Sequence, residues 1–186
     1  MKNNRLVVLS FVILLFFALT SVALVRSASA KSAPTLVETI RQATAPFQDL
    51  KAAEAAGYGL FHGCVSGPQG GAMGIHYVNG DLVGDGELDA SHPEALLYEA
   101  KKGKLDLVGV EYVVIAEAWD AEHDTPPMLM GQLFHYVGSP NRYGLPAFYE
   151  LHVWAWQSNP HGVFSDFNSR VSCEEYVAAT MPEAHE

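Results

Sequence analysis

The pattern of apolar and polar positions changes twice along this 186-residue chain. Leu6 to Val25 is apolar apart from Ser10, Thr20 and Ser21. Between Thr35 and Gly57, Leu36, Ile40, Phe47, Leu50 and Ala53 form a rough apolar stripe at helical spacing. Thr35-Leu36-Val37-Glu38 is a capping box and opens a helix that runs to about Thr44. Pro46 interrupts that helix and suits the first position of a second one, Phe47 to Ala56, which Gly57 stops. After Gly57, short apolar or alternating runs stand between turn residues. They predict strands at Met73–Val78, Leu105–Ala116, Leu129–Val137 and Tyr149–Gln157. Ala95–Glu99 reads as a short strand or one helical turn. Lys101 to Lys104 is a tight turn joining Leu96–Tyr98 to Leu105–Val110 as a hairpin. Asp120–Pro127 reads as a solvated loop, because Pro126-Pro127 bars a central strand. The expected class is α+β: N-terminal helices followed by a mostly antiparallel, bent or partly closed β-sheet.

The first apolar run changes where the protein is expected to work. Lys2 and Arg5 precede it, and Ala28-Ser29-Ala30 offers small residues at signal-peptidase spacing. Residues 1–30 therefore read as a signal peptide, with an uncleaved anchor through residues 6–25 as the alternative. Residues 31–186 form one exported α+β domain, in the periplasm, cell envelope or extracellular space. The chain holds 11 basic and 21 acidic residues; residues 1–30 contain three of the basic ones and no acid, so the remainder carries −13. That charge leaves no footprint for nucleic acid, and anionic lipid would repel it. The two cysteines, Cys64 and Cys173, are expected to pair in an oxidising compartment. No C-x-x-C suggests redox catalysis.

Candidate chemistry centres on Tyr149–Gln157. Alternation places Glu150, His152, Trp154 and Trp156 on one face and Leu151, Val153 and Ala155 on the other. Imidazole and carboxylate suit Zn, Fe or Mn. His76 sits on its own strand, and Glu111 interrupts an apolar one, where a buried carboxylate needs a partner. The expected site is a metal or small-ligand cavity lined by His76, Glu111, Glu150 and His152. The spacing His-x(34)-Glu-x(38)-Glu-x-His is no established motif. The alternative is a buried polar network with no metal, in a structural cell-envelope protein or one that binds carbohydrate on Tyr149, Trp154 and Trp156. No reaction is legible.

Other patterns carry less. His62, His92, His123 and His185 read as solvated, and His161 as part of a turn. Gly67–Gly74 lacks the phosphate-loop lysine, no G-x-S-x-G occurs, and Asp81–Asp89 fails EF-hand spacing. Ile75-His76-Tyr77-Val78 and Phe134-His135-Tyr136-Val137 echo one another, each placing a histidine on a strand.

Taken together, GAMGIHYVN, PEALLYE, LVGVEYVV, LHVWAWQSNPHGVFSDFN and VSC resemble a widespread family of small, uncharacterised exported bacterial proteins. The resemblance covers roughly Ala43 to Cys173. It implies a single exported domain with paired cysteines, and no activity, substrate or cofactor. Ser169 follows Asn168 where that family has proline, a departure that concerns turn shape only.

Overall fold

The capping box folds as its residues dictate. In this computed structural model, which describes residues 33–67 and 70–180, the Thr35 hydroxyl accepts from the Glu38 backbone at 3.3 Å and the Glu38 carboxylate accepts from the Thr35 backbone at 2.8 Å. Helix α1 follows, Leu36–Thr44, and buries Leu36, Ile40 and Thr44. The second helix begins later than its proline suggests. Pro46 lies in a 3₁₀ turn, Ala45–Gln48, and extended Asp49 caps α2, Leu50–Ala55, by accepting from Lys51 N. A side-chain cap settles the start more firmly than a fixed φ alone. The proposed signal segment, residues 1–30, lies outside the described residues.

Among the described residues, eight strands and three further helices follow. In chain order they are β1 (Gly59–Ser66), β2 (Ala72–Val78), α3 (Gly80–Asp85), β3 (Ala95–Lys101), β4 (Lys104–Ile115), α4 (Ala116–Glu122), β5 (Met128–Leu129), β6 (Gln132–Leu133), β7 (His135–Val137), β8 (Phe148–Val153) and α5 (Glu174–Thr180). Six strands form one curled antiparallel half-barrel in the order β1-β2-β3-β4-β8-β7, and β5 and β6 form a separate ribbon. The architecture is the expected α+β class. Among the described residues no helix is long and apolar enough to cross a membrane.

The differences from the expected elements have specific causes. Met130 and Gly131 both adopt positive φ, 46° and 86°, so the expected strand Leu129–Val137 breaks into β5, β6 and β7. Ala116 begins α4 rather than ending β4, and this helix takes in the start of the segment read as a loop. Helices therefore also lie between strands. The aromatic strand stops at Val153: Ala155 N turns back to Val153 O, while Trp156 N and Gln157 N both donate to Val108 O. The β3–β4 hairpin is as expected, its turn made by Lys102 (φ 51°) and Gly103 (φ 72°).

The two sheet faces differ in chemistry. One packs Ile75, Leu96, Tyr98, Val110, Tyr112 and Leu151 against α1 and α2 as the main core. Tyr98 and Tyr112 are fully buried, and their hydroxyls donate to Phe47 O and Ala90 O at 2.7 Å each. The other face carries the ionisable residues. The segment after β8 folds back along the sheet, pairs Asn168 with Ala72, and ends at the Cys64–Cys173 disulfide, whose Cα atoms are 5.5 Å apart. Gly71 permits that pairing: a Cβ there would lie 2.5 Å from Asn168 O, and its φ is +75°.

Candidate metal centre

Strand register brings together residues far apart in sequence. Glu111 on β4 lies directly opposite His152 on β8, with Glu150 two positions along the same face. His76 on β2 is two strands from β4, about 10 Å across a flat sheet. The intervening strand presents small Ala95 opposite Glu111, and the sheet is curled rather than flat. The side chains therefore converge. His76 Nε2 is 3.5 Å from Glu111 Oε2, and His152 Nε2 is 3.9 Å from the same oxygen. One ligand atom from each of His76, Glu111 and His152 falls within 4.8 Å of the others. Donors held 2.0–2.1 Å from a tetrahedral zinc stand about 3.4 Å apart, so this spacing is close to that of a closed ligand set.

A second group overlaps the first. Glu150, His152 and Asp166 also place one ligand atom each within 4.8 Å of one another. Asp166 comes from the returning segment, and its Oδ1 lies 3.8 Å from His152 Nδ1 and 3.4 Å from His135 Nδ1. The His152 ring thus points one nitrogen at Glu111 and the other towards Asp166.

Burial governs the electrostatics. His76, Glu111, Glu150 and His152 are all buried. Desolvation, reinforced by neighbouring His62, lowers His76 to about 4. Desolvation likewise lowers His152 to about 3, with His76 and His135 adding to the effect. Both imidazoles are neutral at pH 7, the state in which imidazole ligates metal. Burial raises Glu111 well above the carboxylate range, and Glu150 beside it pushes further. Burial raises Glu150 to about 7, moderated by a hydrogen bond from Glu111. The two carboxyls therefore share a proton at neutral pH.

Among the described residues, both ring nitrogens of His76 and of His152, Glu150 Oε2 and Asp166 Oδ1 are buried without a hydrogen-bond partner. A buried polar atom left so costs about 1–3 kcal/mol, and such atoms are few in folded proteins. Here they cluster at one place. Buried His, Glu and Asp groups are thus arranged so that they could hold a metal ion.

The four residues named from sequence as metal ligands, His76, Glu111, Glu150 and His152, all lie in this cluster. Three neighbours carried no sequence signal that marked them. Asp166 lies in the loop between β8 and Cys173, where no spacing or motif marks it. His62, read as solvated, is half-buried on β1 with its ring 6.5 Å from that of His76. Tyr143 lies on a loop knotted by Asn141, whose amide donates to Gly138 O and Leu145 O and whose Oδ1 accepts from Tyr143 N and Leu145 N. Its ring packs 5.5 Å from His62 and 6.3 Å from His76. His135 does follow from the strand echo, since β7 sets it opposite Glu150.

The aromatic residues form no common platform. Tyr149 is buried on the core face and bonds Asp120. Trp154 is buried against Leu97, Val108 and Val171, and its indole donates to Ser165 O. Trp156 turns to the helical side and donates to Thr44 Oγ1 at 3.0 Å. The early end of β8 removes the alternation that would have aligned Trp154 with Trp156, and Tyr149, an odd number of positions away, lies on the opposite face.

Comparison with protein-family models, curated proteins and solved structures finds no match for this chain.

Proposed function

We propose that this protein is exported and binds one divalent transition metal ion, Zn, Fe or Mn, through His76 Nε2, His152 Nε2 and Glu111. The observation that carries the reading is the convergence of these three buried donors, with both imidazoles neutral and their Nε2 atoms without a hydrogen-bond partner. Two histidines and one carboxylate are a ligand set that leaves open positions, as at metal centres that bind water, dioxygen or an organic ligand. Asp166 then faces the free Nδ1–H of His152, in the way outer carboxylates orient metal-bound imidazoles. Glu150 stands beside Glu111 as a proton acceptor. The export half of the reading is supported by the Cys64–Cys173 bridge and by the Ala28-Ser29-Ala30 site after an apolar run.

Elemental analysis of tag-free protein tests the metal, with a His76→Ala/His152→Ala variant prepared alongside. About one metal per chain is expected in the native protein and a small fraction of that in the variant. Sub-stoichiometric metal in both preparations would leave the shared proton of Glu111 and Glu150 as the whole content of the cluster, a structural polar network.

A further inference from the structure

The ligand set does not face the core on every side. A cavity of about 200 Å³ adjoins it, and His76 and Glu111 are part of its wall. The rest of that wall is mostly apolar. Val78, Ala95, Val113 and Phe148 come from the sheet, and Phe61 and Leu145 close it from the edge strand and the Asn141-knotted loop. Its other polar lining groups are committed or peripheral. The Tyr143 hydroxyl donates to Met73 Sδ at 3.3 Å, and His62 is half-buried, with Nδ1 3.4 Å from Gly63 O. Polar chemistry inside the cavity is thus concentrated at the His76–Glu111 end.

Size and chemistry together select an occupant. A dry apolar cavity of about 150 Å³ admits benzene, so this one suits a single six-membered ring with a small substituent. A sugar would bury several hydroxyls against Val, Ala and Phe, and each unpartnered one costs about 1–3 kcal/mol. A peptide is too large. Charge narrows the class again: Glu111 is the one carboxylate in the cavity wall, with Glu150 and Asp166 lying outside it, so a divalent ion held by two neutral imidazoles and Glu111 presents one positive charge to the cavity. Buried charge is costly unless paired, so an anionic oxygen completes the site.

Resting on the metal reading above, we propose that the cavity binds one small apolar ring bearing a single anionic oxygen, a phenol-type ligand, with the oxygen on the metal and the ring among Val78, Ala95, Val113 and Phe148. The ring enters past α3, where half-buried Val83 lines the cavity.

The test loads the full exported chain with cobalt(II) and titrates phenol, benzene and glucose, following the visible absorption of the metal. Phenol is expected to shift the cobalt bands, benzene to compete with phenol without shifting them, and glucose to do neither. Val83→Trp and Leu145→Trp each fill the cavity from a different element, and each is expected to weaken phenol at least tenfold while cobalt content stays at one per chain. Both positions are half-buried, where a larger side chain can be accommodated without unfolding the sheet. Stoichiometric cobalt with no response to phenol, or a response untouched by Val83→Trp, overturns the cavity proposal and leaves the metal reading standing. A chain that takes benzene but no cobalt overturns the metal reading and, with it, the anionic head group. Glucose displacing phenol overturns the ligand class.

Discussion

Glu94→Gln is expected to make the protein markedly more stable relative to wild type as the pH rises. Glu94 precedes β3, is 1% exposed, and its Oε2 accepts from Val113 N at 3.1 Å. Burial raises its pKa from 4.5 to about 8; the bonds to its own and the Val113 N–H oppose that rise, and nearby Asp85 and Asp89 add to it. The native state therefore holds this proton more tightly than the unfolded chain does. The stabilisation is complete below about pH 4.5 and is lost as pH climbs through 8. At about 1.36 kcal/mol per pKa unit, the loss approaches roughly 4–5 kcal/mol. Glutamine does not titrate and offers an amide oxygen in place of the Oε2 that Val113 N meets, so the variant lacks this term while keeping the bond. Urea unfolding followed by circular dichroism at pH 5, 7 and 9, in chelator, measures it. Glu150 titrates alike in both proteins, and Glu111 changes little because Glu94 is the smallest of the causes that raise it, so both nearly cancel in the difference. The stability of Glu94→Gln minus that of wild type should rise by about 4 kcal/mol across this range. A difference constant to within about 1 kcal/mol would show that Glu94 ionises without penalty, and the argument from its burial would fail.

Metal binding to a Glu150→Gln variant at pH 6.5 should release about one proton, because the histidines are already neutral, Glu111 holds the proton and the neighbouring acceptor is gone. Calorimetry in buffers of different ionisation enthalpy counts it, and release of none would remove Glu111 from the ligand set. Cys64→Ser/Cys173→Ser opens a loop of 109 positions and should cost up to about 4–5 kcal/mol, seen as a lower Tm. Gly74→Ala should destabilise by at least about 2 kcal/mol in urea titrations, because φ is +103° and the new Cβ meets Tyr98 O at 2.7 Å. Gly103→Ala, with positive φ and open space, should cost only about 1 kcal/mol.

Legibility in the sequence followed the range of the forces involved. The capping box at Thr35, the Lys102-Gly103 hairpin and the strand at His76 rest on neighbouring residues, and all three formed as expected. The break at Val153 does not. At Val153 the chain leaves the sheet because Val108, on another strand, accepts both Trp156 and Gln157. The oddness of ionisable groups on apolar strands marked His76, Glu111, Glu150 and His152. Asp166 and His62 carry no local signal, because a loop carboxylate and an edge-strand imidazole look ordinary until the sheet curls. No periodicity encodes that curl.

The spacing of the three proposed ligands has a thermodynamic consequence. Glu111 follows His76 by 35 residues, and His152 follows Glu111 by 41. An unfolded chain meets a metal with these donors dispersed, so it competes poorly for the ion. Sites built from neighbouring donors can retain metal after denaturation; this one would release it when β2, β4 and β8 separate. Nearly all the binding free energy is then folding free energy, about 2.7 kcal/mol at a hundred times Kd. The ion would act as a reporter of a completed sheet, retained by the finished protein and absent from its intermediates.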